Sequence, residues 1–311
     1  APIVLQILIR KYFLPIARVL SLYSLDSECA VGINAVSSEW HQLMEHVRKF
    51  GKERMIAGDY SGFDTRMPAQ FTIAAFSIFI NIAGASGNYS QRDLQVMRGM
   101  INDVVHPLVA FNGDLVMLYG TNPSGQNMTV YVNSIVNSLY LRVAFFSMYP
   151  GLDFRSHVGL ATYGDDFIGS VSSLCPEFNF KSLKEFLAEM DIKLTLPDKT
   201  DSNCEYLSLD EVDFLKRKTY FNGDLGHEVG LLEEESILKS LVCQEVSNSV
   251  TTDEQLVGAV GSALNEYFYY GREVYTDRRE KLQKVFTGFP LAIRELEYTY
   301  DYRLQKHIES L

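Results

Sequence analysis

Two aspartates stand side by side at Asp165 and Asp166, between the apolar runs 160–163 and 167–171 of "GLATYGDDFIGSVS". The flanking β-formers place the pair at the tip of a β-hairpin. Adjacent carboxylates repel each other, so holding them there makes sense mainly where a cation sits beside them. The competing reading is a solvated turn, since Gly-Asp-Asp is ordinary turn chemistry. The remainder of the chain has to decide between the two.

A second aspartate cluster, "DYSGFD" at 59–64, also closes an apolar strand pattern, about a hundred residues earlier. If the two strands are neighbours, Asp59, Asp165 and Asp166 converge. Oxygen-only ligands suit Mg2+, which takes one or two carboxylates and completes its shell with waters and substrate phosphates. Two such ions about 4 Å apart can activate a 3′-hydroxyl and stabilise the leaving pyrophosphate oxygen of an in-line phosphoryl transfer.

With 311 residues, 47% hydrophobic and 22% charged, the chain can bury a sizeable core and is expected to form two or three subdomains. Residue 1 is Ala rather than Met and the chain opens inside an apolar run, so an upstream part removed by processing or truncation is expected. Arg10, Lys11 and Arg18 interrupt that run, which lacks a secretory pattern. The most apolar later segment, 71–83, has 13 residues; it is too short to span a bilayer as a helix and reads as a buried one. Cys29, Cys175, Cys204 and Cys243 stand far apart, which argues against a disulfide framework or a zinc site and fits a reducing, cytosolic setting. The net charge of −11 counts against a nucleic-acid partner, because phosphate binding rests on Lys and Arg.

Along the chain, Trp40, Leu43, Val47 and Phe50 fall at helical spacing ahead of the strand that leads to Asp59, and an apolar helix covers about 67–83. Residues 84–120 are polar and glycine-punctuated, with Asn112-Gly113 a hairpin signal, and read as an insertion between two core elements. After a Pro-Ser-Gly loop, Gln126, Thr129, Asn133 and Asn137 share one helical face, opposite Val132, Ile135, Val136 and Leu139. Such a polar stripe either faces solvent or has partners. Leu183, Phe186, Leu187 and Met190 mark a further helix, a strand leads to Asp198 and Lys199, and a hairpin turns around Asn222-Gly223. From about residue 228 the pattern is helical, with Thr252 the expected N-cap of one helix.

"DYSGFD", "NPSGQNMTVYVN", "YGDD", "LTLPDK" and "FLKR" follow one another from residue 59 to 217. On these motifs, in this order and spacing, the chain resembles the RNA-directed RNA polymerases of picorna-like positive-strand RNA viruses. The resemblance covers nearly the whole chain. It implies an α+β right-hand fold with a palm of antiparallel sheet backed by helices: residues 1–88 and 121–221 would form the palm, 89–120 a partial fingers insertion and 222–311 a helical thumb. It implies template-directed addition of ribonucleoside triphosphates to an RNA 3′ end, with two Mg2+ ions for which Mn2+ can substitute, in viral genome replication and transcription. The implied partners are RNA template and primer, ribonucleoside triphosphates and other viral replication proteins, without a direct membrane span. The implied location is the host cytoplasm, at membrane-associated replication complexes.

Carried over by position, the resemblance makes Asp59 and Asp165 the principal metal ligands and Asp166 a nearby carboxylate of lesser weight. Asp64 would accept a hydrogen bond from the incoming 2′-hydroxyl, helped by Ser124, Thr129 and Asn133, and Gly125 would give the loop freedom to move. Lys199 would protonate the leaving pyrophosphate, and Lys216 and Arg217 would grip the primer. The family's basic finger motif is absent, which would account for the acidic balance and implies a chain lacking most of the fingers. Reverse transcriptase is disfavoured, because Asp64 stands where that family usually places an aromatic ring against the 2′-hydroxyl. The alternative from another class is a catalytically incomplete RNA-binding fragment.

Overall fold

The computed structural model describes residues 2–122, 125–196 and 204–309. It divides into two compact units, Ala1–Ile33 with Leu43–Leu215, and Asn34–Gln42 with Lys216–Leu311.

The first unit opens with α1 (Ile3–Leu22), which turns Ile9, Phe13, Ile16, Ala17 and Leu20 inward at helical spacing. The short α2 (Ser24–Ser27) follows, then α3 (Ser38–Val47), within which the division between units falls. β1 (Met55–Tyr60) is buried at every position except Asp59, the one residue of the strand that a core cannot accept without a partner. Next come α4 (Ala69–Ala85), α5 (Gln91–Val105) and the hairpin of β2 (Leu108–Phe111) and β3 (Asp114–Met117). Asn112 and Gly113 both have positive φ there, 49° and 94°, as a type I′ turn requires. The unit is completed by α6 (Thr129–Met148), β4 (Val158–Tyr163), β5 (Asp166–Val171), α7 (Phe180–Glu189) and β6 (Leu194–Thr195). The four-stranded sheet has the order β4-β5-β1-β6 and is antiparallel at each pairing. α6 lies against β4 and β5 and also packs on α4 and α7.

Within residues 84–120, which read from the sequence as an insertion between two core elements, the structure has a helix, α5, and the β2–β3 hairpin. Ser90 and Asp93 form a reciprocal capping box that starts α5, and Leu94, Met97, Met100, Ile101, Val104 and Val105 enter the same core as α1 and α4. The polar residues are the outer face of an amphipathic helix.

In the second unit β7 (Arg217–Asn222) and β8 (His227–Leu232) form the hairpin expected around Asn222-Gly223. α8 (Glu234–Val242), α9 (Thr252–Tyr269), α10 (Arg272–Val285) and α11 (Tyr300–Glu309) follow. The helical pattern therefore begins after a strand that ends at Leu232. The N-cap of α9 is Thr251 rather than Thr252, because the Glu254 carboxylate three residues beyond it accepts the Thr251 backbone N–H. Tyr267, Tyr275 and Tyr300 are core residues of this unit together with Val260, Leu264 and Phe268. Among the described residues no helix is long and apolar enough to cross a membrane.

Candidate active site

The register of β1 on β5 brings the two aspartate clusters together. Gly58 pairs with Phe167, so one residue further on Asp59 comes opposite Asp166 at the strand ends. Asp165 sits in the two-residue turn between β4 and β5, and Gly164, at φ 63°, takes the first turn position, where a type II′ hairpin needs glycine. Asp166 begins β5, half-buried and paired with Tyr163.

Asp165 has an exposed edge, yet its carboxyl is pushed above the ordinary value of 3.8. Partial desolvation is the main cause, followed by the charges of Asp59 and then Asp64; its own backbone N–H works in the opposite direction. Three carboxylates therefore share one electrostatic neighbourhood, the condition that a bound cation relieves. Among the described residues no three His, Cys, Asp or Glu side chains close into a ready-made metal cage. Oxygen donors that repel each other while staying partly solvated fit an ion that retains waters and shares phosphate oxygens, as Mg2+ does.

Below the carboxylates lies an aromatic floor. The Tyr60 ring is 4.9 Å from Phe63 and 6.0 Å from Phe167, and Phe63 is 5.8 Å from Tyr140 on α6. Each such pair adds about 0.5 to 1.5 kcal/mol beyond its buried area. The floor thus ties the end of β1, the Asp64 turn, β5 and α6 into one packed block. Burial holds the Tyr60 hydroxyl far from ionisation, with Tyr140 and Asp165 adding to the effect, so Tyr60 is a hydrogen-bond donor. Its hydroxyl donates to Asn137 Oδ1 at 3.0 Å.

The polar stripe of α6 faces protein, not solvent. Asn133 is 9% exposed and Asn137 is fully buried. Asn137 Nδ2 donates to the carbonyls of Gly164, Asp165 and Asp166 at 3.3, 2.8 and 3.2 Å. Ser134, three residues before Asn137 on α6, accepts the Gly164 N–H at 2.8 Å. Asn122, 1% exposed, donates from its backbone to the Asp64 carbonyl at 3.0 Å and from Nδ2 to Asn133 Oδ1 at 2.6 Å and to the Thr129 carbonyl at 3.3 Å. Asp64, Thr129 and Asn133 are thereby joined through one residue.

Of the other expected residues, Gly125 is exposed at φ 83°. Ser124 and Lys199 lie outside the described residues. Lys216 and Arg217 belong to the second unit. Lys216 is exposed and, like Leu215 before it, left-handed at φ 55°. Arg217 is engaged bidentately by Glu266 at 2.9 and 2.8 Å and donates to the Gly230 carbonyl at 2.8 Å. Tyr60, Asn122, Ser134 and the connecting role of Asn137 were not read from the sequence. The same-face spacing of Asn137 was the only signal among them, and it did not say what the face met.

A family model for viral RNA-dependent RNA polymerase matches residues 1–285. The chain belongs to the viral RNA-dependent RNA polymerase family. The chain is 28% identical over 291 residues to the replicase polyprotein of Cricket paralysis virus, a match that covers 88% of this chain and 16% of that polyprotein. It is 31% identical over 287 residues to the replicase polyprotein of Drosophila C virus, covering 87% of this chain and 16% of the relative. It is likewise 31% identical over 315 residues to the RNA1 polyprotein of Cherry rasp leaf virus, covering 94% and 14%. The chain thus spans about a sixth of the length of these curated relatives. The solved Sicinivirus 3Dpol RNA dependent RNA polymerase superimposes with a TM-score of 0.75 over 97% of this chain and 60% of that one, at 19% identity. The α+β polymerase fold expected from the motifs is the fold found.

Proposed function

We propose that this polymerase chain adds ribonucleotides to an RNA 3′ end under the direction of an RNA template, serving viral genome replication and transcription. The observation that carries the reading is the meeting of Asp59, Asp64 and Asp165 where β1 ends beside the Gly-Asp-Asp hairpin. Asp59 and Asp165 would hold two Mg2+ or Mn2+ ions, with Asp166 a nearby carboxylate. Such ions, when bound, stabilise the attacking and leaving oxygens of phosphoryl transfer.

The rest of the chemistry falls to side chains. The oxygen of Asn133 already accepts from Asn122, which leaves its Nδ2 as the donor toward an incoming ribose. Asp64 supplies the complementary acceptor. A 2′-hydroxyl can make both contacts, donating to Asp64 and accepting from Asn133, whereas a deoxyribose makes neither. Thr129 adds a hydroxyl to the same face, Ser124 is the proposed further ribose contact, Gly125 has a left-handed backbone at φ 83°, and Lys199 is the proposed acid toward pyrophosphate. Primer contact is assigned to Lys216 and Arg217, with the larger share on Lys216 because the Arg217 guanidinium is already shared with Glu266.

The palm is proposed to comprise residues 1–88 and 121–221, the fingers insertion 89–120 and the thumb 222–311. RNA, ribonucleoside triphosphates and other viral replication proteins are the proposed partners, at membrane-associated complexes in the host cytoplasm. Extension of a labelled RNA primer on an RNA template, with Mg2+ or Mn2+, tests the reading. Ribonucleotide-selective extension that vanishes in Asp165→Ala supports it. A chain that binds Mn2+ and RNA but never extends a primer would be an RNA-binding fragment instead.

A further inference from the structure

We propose that Asn137 is the positioning residue that fastens the Gly-Asp-Asp turn to the end of β1, holding Asp59 and Asp165 at a cation-binding separation before any cation arrives. The inference rests on the metal reading given above and extends it to a residue that touches neither metal nor substrate.

The two halves of the Asn137 amide work on different segments. Its nitrogen donates to three successive carbonyls, those of Gly164, Asp165 and Asp166, and its oxygen accepts from Tyr60, the neighbour of Asp59. The β1–β5 ladder ends at Gly58 and Phe167, one residue short of the aspartates. Beyond that point, the side-chain bridge from the turn through Asn137 to Tyr60 takes over from the backbone ladder. A tether is needed there, because like charges on Asp59, Asp64 and Asp165 push the segments apart until a cation neutralises them.

The geometry also selects the residue type. Only a short amide offers a two-proton donor to the carbonyls together with an acceptor for the tyrosine hydroxyl. Aspartate would set a carboxylate against three carbonyl oxygens, and leucine would fill the volume while making none of the four contacts. Ser134, three residues earlier on α6, adds a further hold on the turn by accepting the Gly164 N–H, and its own hydroxyl donates to the Val130 carbonyl. Asn137 is fully buried with its amide fully engaged, which leaves nothing to offer a nucleotide and makes it a positioning residue.

The test compares Asn137→Leu, Asp165→Asn and a packing control, Val136→Ala, buried on the same helix. Mn2+ affinity is read by electron paramagnetic resonance, and opening of the 160–168 hairpin by amide hydrogen exchange. Asn137→Leu should weaken Mn2+ binding by about 10-fold or more, the effect usual for a lost outer-shell partner, and should speed exchange across the turn. Val136→Ala should lower Tm while leaving Mn2+ affinity intact. Wild-type Mn2+ affinity in Asn137→Leu, alongside its loss in Asp165→Asn, would overturn the proposal. If Asp165→Asn itself binds Mn2+ normally, the metal reading fails, and exchange across the turn decides the tether alone: unchanged exchange in Asn137→Leu overturns it. Should Asn137→Leu not fold, Tyr60→Phe severs the β1 side while keeping the ring; several-fold weaker Mn2+ binding supports the tether and unchanged binding refutes it.

Discussion

Arg142 clasps Glu28 at two points, Nη1 donating to Oε2 at 2.7 Å and Nη2 to Oε1 at 2.8 Å, around a carboxylate only 3% exposed. Ser138 donates a third hydrogen bond at 2.9 Å, and Arg155 approaches to 3.3 Å. The backbone of Glu28, at φ 59°, accepts the Thr162 N–H at 2.7 Å. One buried residue therefore joins α6 to β4, the strand that leads into the Gly-Asp-Asp turn.

Removing that carboxylate takes the partner from Arg142, whose side chain is only 21% exposed, so Glu28→Ala should lose about 3 kcal/mol of stability in urea unfolding. Burial works to raise the Glu28 pKa, but the Arg142 hydrogen bonds and charge, with Ser138 and Arg155, outweigh it and hold the group below its ordinary 4.5. A depressed carboxyl contributes stability that is complete above the unfolded value and lost as pH falls through the folded one. The acid limb of the wild-type Tm profile below pH 4.5 should accordingly flatten in Glu28→Gln.

Asp165 has the opposite sign. Its raised pKa means the folded state binds the proton more tightly than the unfolded chain, so ionisation costs stability as pH rises through and above 3.8. Without metal at neutral pH, Asp165→Asn should melt at a higher temperature than wild type, and the difference should disappear in acid. Mg2+ or Mn2+ should raise the Tm of the wild type and not of the variant. A lower Tm for metal-free Asp165→Asn would contradict the repulsion.

Asn122 orients Asn133 through a single 2.6 Å hydrogen bond. Losing a hydrogen bond worth about 1.4 kcal/mol corresponds to a 10-fold change in a ratio of rates. Asn122→Ala and Asn133→Ala should each relax discrimination against deoxyribonucleotides by about 10-fold, measured as a ratio of kcat/KM values. The double variant should fall short of the product, since both changes remove the same contact.

Lys216 is left-handed, a conformation that costs a residue with a Cβ about 1 to 2 kcal/mol. Lys216→Gly should therefore be more stable than Lys216→Ala by about 1 kcal/mol. Both variants remove the same charge, so primer binding should weaken equally in the two and lose the same part of its salt dependence. Alanine matching glycine in Tm would show that the backbone there relaxes at no cost.

Elements whose own side chains decide their conformation were legible. The hairpins at Asn112-Gly113, at the Gly-Asp-Asp turn and at Asn222-Gly223 carry their turn chemistry between alternating or apolar runs. α5 was hidden because a high polar content masks a helical stripe unless the spacing of Leu94, Met97, Ile101 and Val104 is counted. Thr251 and Thr252 are equal as caps in composition, and only the reach of Glu254 separates them.

By itself the sequence determined the strands that run up to the two aspartate clusters, the glycine of the Gly-Asp-Asp turn and the polar face of α6, because turn preference and periodicity are local properties of a chain. It also determined the family, since five motifs in order are a one-dimensional pattern. Only the tertiary structure decided that Asp59, Asp64 and Asp165 share one field, that Arg217 is taken by Glu266, and that Asn137 faces three carbonyls and a tyrosine hydroxyl. Those relationships join residues tens to more than a hundred positions apart. A buried polar group is tolerated only where its partners are, and strand register and helix packing alone set where that is.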